Sequence, residues 1–138
     1  SLSRLAQLAI ALPIASCSDP AFKADPDAGG SDGDRIPARG SSGQLARDKK
    51  GNVVGKGDIK AQTEQVFANL KAVLKAAGGT IDNLVMSTTY IVDREYREGY
   101  NEVRRQQYKK TPPTSTLVIV KGLAHPDYLI EIAGIAVI

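Results

Sequence analysis

The last eleven residues, Tyr128-Leu129-Ile130-Glu131-Ile132-Ala133-Gly134-Ile135-Ala136-Val137-Ile138, decide how the rest of the chain is read. Ten are apolar, aromatic or glycine, and one is a carboxylate. A run this rich in isoleucine favours a strand. Side chains alternate along a strand. Ile130, Ile132, Gly134, Ala136 and Ile138 then share one face, and Leu129, Glu131, Ala133, Ile135 and Val137 share the other. Both faces need cover. An unpaired polar group in such a place costs ~2–7 kcal/mol, and an ion more. Glu131 therefore faces water, or faces something that uses an acid.

Upstream, the elements that could cover such a strand are legible. Asp58 to Ala77 predicts a helix, with Ile59, Val66, Phe67, Leu70, Val73, Leu74 and Ala77 on one stripe. Asp58 suits its N-cap and Gly78-Gly79 its end. Leu84 to Val92, rich in β-branched residues, predicts a strand, and Asp93 to Lys110 a second helix. On that helix Asn101, Arg104, Arg105 and Tyr108 share a side. Pro112-Pro113 breaks the chain before a strand at Ser115–Val120. Gly122 to Asp127 is a turn. Ser41 to Leu45 closes a short first strand, followed by a tight turn at 50–53. The order strand–helix–strand–helix–strand–strand predicts an α+β fold, a sheet with two helices on one face. The other face is left apolar and uncovered, which points to an oligomer interface.

Composition narrows the function classes. The 138 residues suit one domain, 1–138, and 42% hydrophobic with 24% charged residues suits a globular one. The net charge is +3, but the basic pairs Lys49-Lys50, Arg104-Arg105 and Lys109-Lys110 are interleaved with acids. No basic stripe with aromatics marks a nucleic-acid partner. One cysteine, Cys17, and one histidine, His125, exclude an internal disulfide and a Cys/His zinc site.

The amino-terminal end is different in texture. Residues 19–40 concentrate prolines, glycines and five aspartates, which is loop chemistry. Before them, Leu2 to Leu12 reads as a short amphipathic helix stopped by Pro13, too short to span a bilayer. A second reading takes Ile14-Ala15-Ser16-Cys17 as a lipobox. Lipidation of Cys17 would then place the protein at a membrane as a periplasmic lipoprotein. The first reading leaves it cytoplasmic.

From Ser41 to Ile138 the chain resembles the RidA family, also called YjgF or L-PSP endoribonuclease-like proteins. The likeness rests on Ser42-Gly43-Gln44, Ala61-Gln62-Thr63-Glu64-Gln65-Val66 leading to Asn69-Leu70, and Ala76-Ala77-Gly78. It continues through Val92-Asp93, Tyr100-Asn101-Glu102-Val103, the proline before Ser115, and Ile130-Glu131-Ile132. The resemblance implies a chorismate-mutase-like sheet. Three subunits would close their sheets into a trimeric barrel, with helices outside and three clefts between subunits. It also implies hydrolysis of reactive enamines or imines derived from amino acids to a 2-oxo acid and ammonia, without cofactor or metal. Glu131 matches the family's water-orienting acid. Gly43 and Asn101 match positions that line the ligand site.

Two departures stand out. The family grips a substrate carboxylate with an arginine, whose bidentate hydrogen bonds suit that group. Here Pro113-Thr114-Ser115-Thr116 puts Ser115 at that position, and a hydroxyl carries no fixed charge. Arg104, one helical turn after Asn101, is the replacement candidate, against the plain alternative of a surface arginine. Residues 1–40 also lack the tyrosine-bearing segment expected before the first strand. The expectation is thus a divergent deaminase-type hydrolase. A non-catalytic trimer that binds a small metabolite is the alternative. The ribonuclease suggested by one family name finds neither a basic groove nor a histidine pair.

Overall fold

The structure, a computed structural model, describes residues 38–138. The expectations on Leu2–Leu12, on the loop before Ala38 and on Cys17 lie outside the described residues. Four strands form one mixed sheet: β1 Ala38–Leu45, β2 Leu84–Ile91, β3 Thr114–Ile119 and β4 Ile130–Val137. Two helices accompany them, α1 Ile59–Ala76 and α2 Arg97–Arg105. The order across the sheet is β1-β4-β2-β3. The last strand in sequence thus lies inside, antiparallel to both neighbours, while β2 and β3 run parallel across the α2 crossover.

The first helix follows its sequence signals closely. The Asp58 carboxylate accepts from the Ala61 amide at 3.1 Å, an N-cap. At the other end Gly78 takes φ 87°. The amides of Gly78 and Gly79 return to the carbonyls of Lys75 and Leu74, a Schellman closure that only a glycine reaches without strain. The stripe Val66, Phe67, Leu70 and Leu74 is buried against Ile91, Ile130 and Ile132 in one core. Three polar side chains of this helix, Gln62, Thr63 and Asn69, are buried too. Thr63 bonds its own helix at Ile59 O. Asn69 donates to the carbonyls of Leu45 and Arg47, both at 2.9 Å, and so ties α1 to the end of β1.

Three boundaries differ from the sequence reading. The first strand starts at Ala38 rather than Ser41, because Ala38, Arg39 and Gly40, read as loop, pair with Val137, Ala136 and Ile135 of β4. Instead of one helix over 93–110, a 3-10 turn at Arg94–Tyr96 precedes α2, which ends at Arg105. The Asp93 side chain caps the tight turn through the Glu95 amide. Beyond Arg105, Pro112 and Pro113 lack amide donors and hold the preceding backbone extended. The last strand begins at Ile130 rather than Tyr128. The Leu129 amide is taken by the Gln62 side chain at 2.8 Å and the Tyr128 amide by the His125 carbonyl, so neither pairs in the sheet.

The alternation along the last strand holds. Ile130, Ile132, Gly134 and Ala136 are buried toward the helices, while Glu131, Ala133, Ile135 and Val137 are open. The register carries this open face sideways to Met86, Thr88 and Tyr90 on β2, and to Thr114, Thr116 and Val118 on β3. Met86, Val118 and Ile135 are exposed large apolar side chains there. No helix among the described residues is long and apolar enough to cross a membrane.

Candidate functional site

Glu131 sits on β4, with Tyr90 of β2 beside it and Leu45 of β1 as its other register partner. Its carboxylate has no ion pair and no hydrogen bond among the described residues. Burial among apolar neighbours pushes its pKa above the ordinary carboxylate range, because desolvation disfavours the charged form. A half-buried, uncompensated acid is costly to keep in a fold. That cost makes a functional role the economical explanation.

Space for the carboxylate comes from β1. Between Ser41 and Gln44 the register slips: three steps on β1 face two on β4, Gly134 to Ile132. This is a β-bulge, which re-aims a strand locally. The Ser41 hydroxyl accepts from the Gly134 amide at 3.2 Å and holds one side of it. Within the bulge lies Gly43. A Cβ at that position would come within 1.8 Å of Glu131 Oε1 and 2.6 Å of its carboxyl carbon. The glycine is required by the acid next to it, not by its own backbone angle. Gly43→Ala should displace the carboxylate rather than unfold the sheet, since the clashing atoms end a flexible side chain. The expected result is a Glu131 carboxylate moved away from the place where the added Cβ would lie, with a melting temperature near wild type. A crystal structure of the variant beside calorimetry checks this, and an unmoved carboxylate or a collapsed melting temperature would sink it.

The other candidates lie elsewhere in the single chain. Ser115 pairs with Ser87, which pairs with Gly134. It is therefore on the edge strand, on the helix side of the sheet, with β2 between it and β4. Asn101 and Arg104 belong to α2, across the sheet from the open face. The Arg104 guanidinium stacks over Tyr108, 5.6 Å from the ring centre, and its Nε is buried without a hydrogen-bond partner. Desolvation pushes the Tyr108 hydroxyl up to about 12. One protomer thus brings Gly43 and Glu131 together and leaves Asn101, Arg104 and Ser115 apart from them.

The surface offers a separate depression of about 460 Å³, lined by Asp93, Tyr96, Lys121, Leu123, His125 and Tyr128. It does not reach Glu131. His125 there spends its Nδ1 on the Asp127 amide at 3.1 Å, and its ring packs edge-on against Tyr128. These are turn-closing contacts, so the uncompensated carboxylate is the better centre for chemistry. No group of three or more potential metal ligands occurs among the described residues.

One contributor was hidden from sequence reasoning. Gln62, fully buried on α1, donates to the Asp127 carbonyl at 2.7 Å and accepts from the Leu129 amide at 2.8 Å. It fixes the backbone that enters β4 two residues before Glu131. The sequence singled it out only as part of the motif that carries the family likeness, with no role; its burial and two backbone bonds supply one.

Comparison with known proteins agrees with this architecture. Residues 40–138 match the Endoribonuclease L-PSP family. A RutC family protein of Saccharolobus solfataricus is 45% identical over 96 residues, covering 69% of this chain and 75% of that protein. One from Sulfurisphaera tokodaii is 39% identical over 94 residues, 68% and 74% of the two chains. Among solved structures, RidA from the Antarctic bacterium Psychrobacter sp. PAMC 21119 superposes with TM-score 0.69 at 31% identity, over 74% of this chain and 81% of that one. E. coli TdcF with bound serine gives 0.68 at 30%, over 75% and 83%. With its mixed four-stranded sheet, two helices and these relatives, the chain belongs to the RidA/YjgF/L-PSP endoribonuclease-like family.

Proposed function

We propose that this protein hydrolyses a small enamine or imine in a cleft between the subunits of a homotrimer, with Glu131 directing the water. The observation that carries the reading is the half-buried carboxylate without a partner among the described residues, given room by Gly43. An enamine is first protonated at carbon by solvent, and an imine at nitrogen, so that either enters the reaction as the iminium ion. Water then adds to the imine carbon and its proton passes to Glu131. The same proton goes to nitrogen in the tetrahedral adduct. The C–N bond breaks, ammonia leaves, and the remaining hydroxyl loses its proton to give the carbonyl. A carboxylate with a raised pKa suits both halves, as base and then as acid. No cofactor takes part.

The trimer rests on the open sheet face. Met86, Val118 and Ile135 are large apolar side chains left exposed together on it, and a shared apolar patch marks an interaction surface. Closure of that face onto copies of itself supplies the cover. Ile135→Asp would bury a charge there. It is expected to sediment at the mass of one chain and to lose activity. An unchanged trimer would place the interface elsewhere.

A non-catalytic metabolite-binding trimer is the second reading, favoured by Ser115 at the arginine position. Decay of freshly generated imines, followed with and without protein, separates the two. Acceleration by wild type and none by Glu131→Gln supports the hydrolase. Decay at the buffer rate, with a ligand still bound by both proteins, supports the binding module.

A further inference from the structure

Tyr90 is the cross-strand neighbour of Glu131, and both are half-buried on the open face of the sheet. Side chains directly opposite in an antiparallel pair start about 4.5–5.5 Å apart at Cβ. The carboxylate does not lean toward the ring. It lies against Gly43 of β1, where an added Cβ would meet Oε1, and β1 and β2 flank β4 from opposite sides. Space therefore opens between acid and ring. The next row of the same face is low, because Ala133 pairs with Thr88. The row after it rises again at Ile135 and Met86, the apolar cover of the proposed interface. Glu131 and Tyr90 thus stand together at one end of a shallow hollow floored by two small side chains.

We propose that Tyr90 is a substrate-contact residue of this site, its ring face holding an organic cation, the iminium ion, opposite the Glu131 carboxylate. This rests on the hydrolytic reading above. An iminium group is planar, and its charge is spread over nitrogen and carbon. A carboxylate by itself attracts any cation. An aromatic face adds selectivity for an organic one, because the ring quadrupole attracts a cation within about 6 Å of its centre and does so more strongly when both are desolvated. With one face of the planar group against the ring, the other face is left to the water that Glu131 directs. Tyr90 therefore also sets the side from which water adds. The ring face does this without the hydroxyl, so phenylalanine serves equally.

The test compares choline with 3,3-dimethylbutan-1-ol, which carries a neutral carbon in place of the charged nitrogen. Binding of each to the full chain is measured by calorimetry for wild type, Tyr90→Phe, Tyr90→Leu and Glu131→Gln, beside hydrolysis of freshly generated imines. Wild type is expected to prefer choline. Tyr90→Phe should keep that preference. Tyr90→Leu should cut it by about three- to thirtyfold, the range of one cation–π contact, with KM for the imine raised by a similar factor and kcat changed less. Glu131→Gln reads the ring without the charge. A choline preference of at least about threefold that survives there supports the proposal even if Tyr90→Leu does not fold, and its disappearance overturns it. An equal preference in Tyr90→Leu and wild type overturns it too, as does a loss in Tyr90→Phe as large as in Tyr90→Leu. Imine turnover beside any of these failures leaves the hydrolytic reading standing. The expected choline pattern without imine turnover overturns that reading and leaves a site for organic cations.

Discussion

Glu131→Gln is expected to slow imine hydrolysis by about 10²–10⁴-fold, the range of a general acid–base group, and yet to melt higher than wild type at pH 7. Glutamine keeps the shape of the side chain but neither takes nor returns a proton. The stability half follows from the raised pKa. In the folded chain Glu131 holds its proton to a higher pH than it does unfolded, where the ordinary value is 4.5. Between those two values the native state binds more protons, so stability falls as pH rises. The contribution is fully present below the unfolded value and lost as pH rises through the folded one. At pH 7 the wild type carries that penalty and the amide does not. The stability gain of Glu131→Gln should therefore shrink as the pH is lowered toward 4. Melting curves across this window, beside the kinetics, check both halves. A variant that melts lower at pH 7 would mean that the carboxylate is held by favourable contacts.

Gln62→Leu is expected to give the largest loss of stability, about 1–3 kcal/mol for each buried backbone group left unpartnered. Two are at stake, the Leu129 amide and the Asp127 carbonyl. Leucine fills most of the volume but offers neither donor nor acceptor. Water cannot easily replace it, because the side chain is completely buried. Since Leu129 lies two residues before Glu131, turnover should fall as well. Urea denaturation measures the first effect. A loss below about 1 kcal/mol, within the ordinary range of a tolerated substitution, would show that the turn closes without its clamp.

Much of this was readable from the chain. The apolar stripe, Asp58 and the glycine pair specified α1 because these are local signals: periodicity, a side-chain acceptor, and a residue free to take positive φ. Alternation grouped Glu131 with Leu129, Ala133, Ile135 and Val137 for the same reason, since pleating is a property of one strand; which face the helices cover came from the fold. Even the uncovered sheet face followed from an element count. The early start of β1 and the late start of β4 had non-local causes. Leu129 left the strand because a glutamine 67 positions earlier in sequence took its amide.

By itself, then, the sequence determined the element order, the family likeness and which residues share a face with the acid. The tertiary structure alone decided which partners meet. It set β4 between β1 and β2, brought the bulge of β1 over Glu131, and made Gly43 the residue that leaves room for the carboxylate. It also put Ser115 on the helix side of an edge strand and set Tyr90 beside the acid on the open face. The physical reason is range. Propensity, capping and pleat act over a few neighbouring residues, whereas strand order, register and the slip of a bulge are settled by packing between segments far apart in sequence, as Ser41 and Gly134 are at 93 residues.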